Sequence, residues 1–486
     1  MNPLRIPSSA LGVLACFAIA ATATTQGFSF GAMYLLGAYQ VAPGGIAYPG
    51  LAHVDPVTGV TTPFAQFSTG VYPASATYDP FRDRIVVYGG TGTMVNPAVI
   101  GIDANGATTV IANTYLVRLA ARGDGKIYGV KAGASHPTVQ EVYYLDAAGV
   151  EHVLLDVGGA APWRSNGGVP FNSSDPVRAM IYEPAENALF LAFAGDNLTP
   201  DCGAPSFDVS LRKLPLTGDG TALRAPAVCS EYDVAGLANV SETPLSLGYG
   251  PAGSLAMTVF TTAFGAMPRV LGIDPVSAQM TPLVTVGPYT GDIAVSAGAY
   301  SPLTDRVLVL DGGNDVWRAF VPGGAGAGQI LASYGSTGLG SGTDQLFAIA
   351  PIGPAWSLTA DTTQLSVGSG GAQHLDFHPG PSVGGNLYLI LGSLSGWAPG
   401  FPFTGVQVPL NLDWYTQFTL GAANSPFFVT TLGVLPPGGT TTASIVFPPQ
   451  VLGGLVGQTM HHAAIAFDGS LQIRHASNPM PLQLLP

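Results

Sequence analysis

Val54-Asp55-Pro56-Val57-Thr58-Gly59 is the first of six related turns, each preceded by an apolar strand-like stretch and most followed by a strand rich in Thr and Val. The other five turns occupy residues 102–106, 145–149, 214–218, 273–277 and 320–324. The steps from one turn to the next are 48, 43, 69, 59 and 47 residues. A period of roughly 40–50 residues with a few insertions is typical of β-propeller blades. The repeat therefore predicts an all-β chain that contains a six-bladed propeller.

A second recurring pattern, a hairpin, leads into the second strand of several units. Tyr78-Asp79-Pro80-Phe81-Arg82-Asp83-Arg84 is its first copy, and similar stretches begin at Tyr182 and Tyr300. In each copy a proline follows the tyrosine by two residues, and Asp or Asn stands three residues further on. Proline fixes φ for the turn, and Asp or Asn tolerates the left-handed conformation that closes it. These stretches predict tight hairpins.

The two ends of the repeat predict how the ring closes. Residues 33–36 form a second strand with no first strand before it, and an unmatched first strand lies at residues 344–349. We expect residues 346–349 to pair with residues 33–36, a Velcro-type closure that removes open sheet edges.

Three segments follow from this organisation: a signal peptide over residues 1–23, the propeller over 24–353 and a C-terminal β-sandwich over 354–486. The last segment shows about eight short β-rich runs at 10–15-residue spacing, which favours a sandwich. From residue 355 onward it holds only five charged residues: Asp361, Asp376, Asp413, Asp468 and Arg474.

The N-terminal sequence predicts export. Arg5 supplies the positive charge of a signal-peptide n-region, and residues 10–20 form an apolar h-region. Ala21-Thr22-Ala23 is an A-x-A cleavage site. Cys16 offers a rival, lipoprotein-like processing site. No later apolar run is long enough for a transmembrane anchor. The net charge of −13 argues against a nucleic-acid partner. We expect a secreted or cell-surface protein.

The number of cysteines is consistent with export. Cleavage would remove Cys16 and leave Cys202 and Cys229, an even number that predicts one disulfide in an exported chain. The alternative is two separate reduced cysteines.

Two histidine motifs are candidate metal sites. His374, Asp376 and His378 alternate along one strand and therefore share a face, so they offer zinc-type ligands. A solvent-exposed polar face is the favoured interpretation, because the outer two lie roughly 13 Å apart by strand rise. His461 and His462 are adjacent, point to opposite faces, and are expected to be structural, with one of them a buried partner for a backbone group.

The inner-strand entries of the six units offer a candidate ligand site. Aligned on their tyrosines, these entries carry two charges, Arg118 and Arg178, on neighbouring blades. Paired guanidinium groups bind anions, although such residues also pair with local acids. Nucleophile-elbow and zinc-protease motifs are absent from the sequence, and no cofactor is expected.

Parts of the chain resemble known families. The C-terminal segment resembles a β-module that recurs at the ends of large secreted bacterial proteins, and the resemblance implies a location and no chemistry. Its motifs are residues 388–396, Pro399-Gly400, Leu432-Gly433, His461-His462-Ala463 and Ala476-Ser477-Asn478-Pro479. The Asp-Pro-x-Thr-Gly turns resemble those of secreted bacterial NHL/YVTN-like propellers.

Two functions from different classes remain open. The leading hypothesis is a non-catalytic exported protein that serves as a binding or surface module. Its low charge and its Tyr/Asn/Ser/Gly loops suit glycans or protein surfaces. The alternative is a propeller-fold hydrolase or lyase that acts on a polysaccharide or a lactone.

Overall fold

The computed structural model describes Phe28 and residues 32–486, apart from residues 41–46, 67–70, 80, 83, 92–96, 132–140, 156, 158–176, 185, 194–195, 202–203, 207, 237–241, 252–253, 262–266, 287–294, 302–303, 312–315, 334–345, 352–356, 380–382, 398–399 and 404–405. The chain divides into two compact units. The N-terminal unit comprises Gly31–Asp79 and Asp83–Gly353, and the C-terminal unit is built mainly from Pro354–Pro486.

Antiparallel sheets of four main strands, arranged in chain order, organise the described part of the N-terminal unit. The first of these sheets is completed by the last described strand of the unit. The first three are β27(Leu346–Pro351)-β1(Met33–Gln40)-β2(Ala47–Val54)-β3(Thr61–Gln66), then β4(Val71–Asp79)-β5(Arg84–Thr91)-β6(Pro97–Ile102)-β7(Thr108–Ala112), then β8(Val117–Ala121)-β9(Ile127–Lys131)-β10(Glu141–Leu145)-β11(Glu151–Val153).

Three further sheets follow the same plan. They are β12(Val177–Glu183)-β13(Ala188–Phe193)-β16(Val209–Pro215)-β17(Val228–Tyr232), then β18(Glu242–Tyr249)-β19(Leu255–Thr261)-β20(Met267–Ile273)-β21(Met280–Val286), then β22(Val295–Ser301)-β23(Arg306–Asp311)-β24(Val316–Phe320)-β26(Gln329–Ser333). The short strand β25(Ala325–Gly326) pairs in parallel with β21, and β14(Asp196–Asp201) pairs with β15(Ala204–Ser206).

The first strands of these sheets lie beside one another in a closed cycle, which makes the unit propeller-like. The order is β27, β4, β8, β12, β18, β22 and back to β27. Apolar side chains between neighbouring sheets form the core; Trp317, for example, is fully buried, and its indole N–H donates to Thr61 Oγ1 at 3.2 Å, which joins the sixth sheet to the first.

The predicted closing pair is confirmed. β27 runs antiparallel to β1, with Ile349 opposite Leu35 and Ala348 opposite Leu36. The hydrogen-bonding edge of β1 is therefore occupied by backbone from the far end of the unit.

The hairpin residues adopt the conformation that the sequence predicts. Asn187 and Asp305 have φ of 45° and 49°, in the left-handed region. The side chain of each also accepts the hydroxyl hydrogen of the hairpin's own tyrosine: Tyr182 to Asn187 at 3.0 Å and Tyr300 to Asp305 at 2.9 Å. Asp83, the third member, lies outside the described residues.

The recurring turns owe their acidic residue to a local hydrogen bond. The Oδ1 atoms of Asp55, Asp103, Asp146 and Asp274 accept the amide hydrogen two residues further on at 2.8–2.9 Å. Such Asx turns set the link between the third and fourth strands of a sheet. In the turn that begins at residue 214, Thr217 Oγ1 instead accepts the amide hydrogen of Ala222, five residues further on, at 3.2 Å.

The C-terminal unit contains two main sheets. One is β28(Leu358–Ala360)-β30(Gly371–Phe377)-β36(Thr441–Phe447)-β34(Phe428–Val429). The other is β29(Gln364–Ser366)-β39(Met480–Leu485)-β37(Thr459–Phe467)-β31(Leu387–Ser393)-β35(Leu432–Val434), with β38(Ile473–Ala476) on β37. Both sheets contribute to one buried cluster that includes Phe377, Ile390, Ile445 and Leu482.

The remaining elements of this unit are the hairpin β32(Phe401–Phe403)-β33(Val406–Val408), the helix α1(Trp414–Gly421) and a 3-10 turn at Gly453–Leu455. A helix was not expected in this segment. Among the described residues, no helix is long and apolar enough to span a bilayer.

Candidate functional site

Every first strand in the described cycle departs from regular pairing near its start. The unmatched residues, which lie on the bulged side of each pairing, are Ala74 in β4, Arg118 and Leu119 in β8, Arg178 in β12, Leu245 in β18, Ser296 in β22 and Phe347 in β27. A β-bulge bends its strand and re-aims the extra side chain, and bulges recur beside functional sites. The six bulges therefore mark one level of the ring.

Arg118 and Arg178 both occupy this level, on neighbouring strands. The Arg118 backbone has φ of 56°, an uncommon conformation for a residue other than glycine. One hydrogen bond of Arg118 runs from Nε to the carbonyl oxygen of Val177 at 3.0 Å, which links β8 to the residue just before Arg178. The sequence-predicted pair is thus brought together.

The two arginines also interact electrostatically. Burial, together with the nearby Arg178 guanidinium, lowers the pKa of Arg118 to about 10. Arg178 is half-buried, and its Nε is a buried donor with no hydrogen-bond partner among the described residues. Two neighbouring guanidinium groups and an unmatched buried donor form an anion-attracting site, because an oxyanion would neutralise charge and accept that hydrogen bond.

The first histidine motif has an exposed polar face, as the favoured interpretation predicts. His374 and Asp376 are exposed on β30, whereas Leu375 and Phe377 between and after them are buried. The His374 ring contacts Ser444 Oγ through Nδ1 at 2.8 Å. His378 follows the end of β30, and its amide donates to the Ser357 carbonyl at 2.6 Å.

His462 of the second motif is a core residue. Its Nε2 lies 2.9 Å from the Tyr415 hydroxyl, so this partner of His462 is a side chain. A backbone partner for one of the two histidines stays a prediction. Burial, and to a smaller extent the neighbouring His461, lowers the pKa of His462 to about 3. The ring is therefore neutral near pH 7.

A serine–histidine contact in the C-terminal unit has no counterpart among the sequence predictions. Ser357 Oγ lies 2.6 Å from His475 Nε2, although the two residues are 118 positions apart. Burial lowers the pKa of His475 to about 4, and Ser357 is almost completely buried. No sequence motif signals this pair, and its burial suits a structural role.

Cys229 lies in β17 opposite Arg212 of β16. Cys202 lies outside the described residues, so the disulfide stays a prediction.

The protein is thus all-β and propeller-like. No protein-family model and no curated protein matches the chain. Solved structures similar to it include the periplasmic gluconolactonase of Pseudomonas aeruginosa, at 16% identity over 64% of this chain and 97% of the other, with a TM-score of 0.39. An oligogalacturonate lyase of Vibrio parahaemolyticus is similar at 10% identity, 54% and 70% coverage and a TM-score of 0.31. A glycosyl hydrolase from Bacteroides ovatus is similar at 12% identity, 51% and 86% coverage and a TM-score of 0.30. These similarities assign no activity to this chain.

Proposed function

We propose that this is an exported, non-catalytic binding protein: a six-bladed propeller over residues 24–353, whose channel mouth binds an anionic sugar, followed by a β-sandwich over residues 354–486. The ligand is held between Arg118 and Arg178. The observation that carries the proposal is the juxtaposition of these two half-buried arginines on neighbouring bulged strands, with the Nε of Arg178 unmatched.

The chemistry favours a carboxylate on a sugar. Guanidinium groups bind carboxylates in a planar, bidentate manner, which fixes the orientation of the ligand as well as adding affinity. The net charge of −13 repels polyanions at long range, so recognition depends on short-range hydrogen bonds at this site. A short uronate oligosaccharide combines one or a few carboxylates with many neutral hydroxyl groups.

Isothermal titration calorimetry with tri-galacturonate tests the proposal, with the same oligosaccharide after carboxyl reduction as the matched neutral ligand. Arg118→Ala and Arg178→Ala should each weaken binding by roughly 10–100-fold, since a hydrogen bond to a charged group contributes about 1.5–3 kcal/mol. Arg224→Ala removes an exposed arginine and should leave affinity unchanged.

Equal affinity for the acidic and the reduced oligosaccharide would overturn the proposed anion site. Turnover of a polysaccharide or a lactone by the purified protein, lost when a channel carboxylate is replaced, would instead establish the alternative hydrolase or lyase. The two outcomes are separate, because one concerns binding at the arginines and the other concerns chemistry.

Export carries a further expectation. We propose that residues 1–23 are removed and that Cys202 pairs with Cys229. Thiol titration of the denatured, unreduced mature chain should then find no free thiol. Two thiols per chain would show that the cysteines are separate.

A further inference from the structure

The C-terminal unit presents an apolar platform on α1 and the residue pair before it. Leu412, Trp414 and Phe418 are 65%, 59% and 46% exposed. Trp414 and Phe418 are four residues apart in the helix and therefore share one of its faces. Large aromatic side chains of a folded unit are ordinarily buried, so an exposed pair with an exposed leucine is informative.

The platform is rigid. The Trp414 ring stands edge-on to Tyr415 at 5.9 Å between centroids, and Phe418 stands edge-on to the buried Phe428 at 5.6 Å. Tyr415 is buried, its hydroxyl bonds His462, and a side chain at Gly392 would collide with its ring. The exposed rings are therefore fixed in place before any ligand arrives, which lowers the entropy lost on binding.

The platform is also uncharged. Asp413 is the charged residue nearest to it in sequence, and both of its carboxylate oxygens accept backbone amide hydrogens, from Leu394 and Ser395 on one side and from Tyr415 and Thr416 on the other. The exposed Gln417 lies between Trp414 and Phe418 in the helix and offers amide donors and an acceptor.

The area of the platform decides what kind of partner it fits. Taking roughly 150–250 Å² for a large side chain, the three exposed fractions correspond to about 350 Å². A stable protein interface needs about 800 Å² per partner, so a second copy of this chain or another folded protein would be poorly held. Residues 355–486 carry four aspartates and one arginine, so an anionic membrane is not attracted.

We infer that the Leu412–Trp414–Phe418 platform binds a neutral polysaccharide, whose sugar rings stack their apolar faces on the two aromatic rings. The hydroxyl groups around each sugar ring suit the amide of Gln417 and nearby water. This site is separate from Arg118 and Arg178 and takes a ligand of different charge.

Native affinity electrophoresis of the mature chain tests this, in gels that contain hydroxyethylcellulose, galactomannan or laminarin and in a gel without polysaccharide. At least one polysaccharide should retard the protein. Trp414→Ala and Phe418→Ala should each lower the association constant by at least tenfold, whereas Trp414→Phe should lower it by less than about threefold.

Two controls keep the result specific. Val451→Ala changes another exposed apolar side chain of the same unit and should bind normally. Arg118→Ala with Arg178→Ala should also bind normally, which separates this inference from the proposed anion site. The variants at Trp414, Phe418 and Val451 should keep the thermal unfolding midpoint of the parent, because those three side chains are exposed.

Three outcomes would overturn the inference. The first is absence of retardation in all three gels, and the second is undiminished retardation of the Trp414→Ala/Phe418→Ala variant. The third is that the parent forms a dimer by light scattering, or binds phosphatidylcholine vesicles by flotation, and that this variant does not.

Discussion

Asp413 shows how a single carboxylate can organise a loop and a helix together. Its Oδ2 accepts the amide hydrogens of Leu394 and Ser395 at 2.7 Å each, and its Oδ1 caps α1 through the amides of Tyr415 and Thr416 at 2.9 and 3.0 Å. Burial alone would raise the pKa of Asp413, but these donors outweigh it and hold the pKa at about 2. The carboxylate is therefore a structural group.

Replacing Asp413 by Asn should destabilise the C-terminal unit by about 2 kcal/mol at pH 7. Asn keeps one oxygen for the helix cap but turns an NH₂ group toward the amides of Leu394 and Ser395, which then lose their acceptor. Because the pKa is lowered on folding, the contribution is present above pH 4 and is lost as pH falls from about 4 to about 2.

Urea unfolding between pH 2 and pH 7 measures this. Asp376→Asn is the control, since Asp376 is exposed on β30 and its replacement should change stability by less than about 0.5 kcal/mol. An Asp413→Asn variant that matched the parent at pH 7 would contradict the assignment.

Replacement of Asn187 tests whether the hairpin needs a residue that tolerates the left-handed conformation. Asn187→Ala should destabilise the protein by about 2–4 kcal/mol, because alanine disfavours the left-handed conformation and leaves the carbonyls of Leu216 and Thr217 without the Nδ2 donor. Asn187→Gly removes the same hydrogen bonds but tolerates the conformation, so it should be less destabilised than Asn187→Ala by about 1 kcal/mol. Equal unfolding midpoints for the two variants in guanidinium chloride would show that the backbone conformation is unimportant.

Strand β27 has a different kind of importance, because it joins the two ends of the N-terminal unit. Its pairing partner β1 otherwise presents unpaired backbone groups that would template association with other chains. The outer strand β3 of the first sheet carries Pro63, and proline cannot donate to a ladder. The first sheet is thus protected by pairing at one edge and by proline at the other.

A chain of residues 31–345 should aggregate, whereas one of residues 31–353 should stay monodisperse. The two differ by the segment that contains β27, so the matched pair isolates ring closure from the loss of the C-terminal unit. Size-exclusion chromatography with light scattering and hydrogen exchange at residues 33–36 are the measurements. A monodisperse shorter chain with protected amides at residues 33–36 would contradict the role of β27.

Patterns confined to a few neighbouring residues could be predicted from the sequence. Asn187 and Asp305 follow from the chemistry of a tight turn, and the β27–β1 pairing follows from a repeat with one strand missing at its start and one to spare at its end. The bulges could not be predicted in this way, because one extra residue leaves the apolar alternation nearly unchanged. Counted back from the aligned residues Ala121 and Tyr182, Arg118 and Arg178 stand three and four positions earlier, yet both lie at the bulge.

Contacts between residues far apart in the chain could not be predicted from the sequence either. Ser357 and His475 meet only because β28 and β38 are brought together in the folded unit. Helix α1 was missed because Trp, Tyr, Thr and Phe are residues that favour strands. The signal that could have revealed it is Asp413 followed by Thr416, which form a capping box. Tertiary contacts of Tyr415 then override the local preference.

The candidate site should lower the stability of the N-terminal unit when no ligand is bound. Two neighbouring arginines are held half-buried in a protein whose net charge is −13, and burial together with the Arg178 guanidinium lowers the pKa of Arg118. Such an arrangement destabilises the unliganded fold, and natural proteins retain features of this kind where function requires them. An anionic ligand would relieve the repulsion, so binding and stability should be coupled.

Arg118→Met should therefore raise the stability of the unliganded protein while it abolishes anion binding. The fall in the pKa of Arg118 to about 10 corresponds to roughly 3 kcal/mol of destabilisation that Arg118→Met removes. Loss of the hydrogen bond to Val177 offsets about 1 kcal/mol of that gain in stability. A net gain of about 1–2 kcal/mol would raise the midpoint of thermal unfolding by roughly 2–5 °C.

The difference in stability between the parent and Arg118→Met should depend on pH. The folded state binds this proton less tightly than the unfolded state, so the parent recovers stability as pH rises through 10, and its difference from Arg118→Met should narrow between pH 8 and pH 10.5. Tri-galacturonate should raise the midpoint of the parent and leave that of Arg118→Met unchanged, and Arg224→Met should behave as the parent does. If Arg118→Met unfolds at a lower temperature than the parent at pH 8, Arg118 is a structural residue. Its interactions would then stabilise the fold by more than the burial of its charge destabilises it.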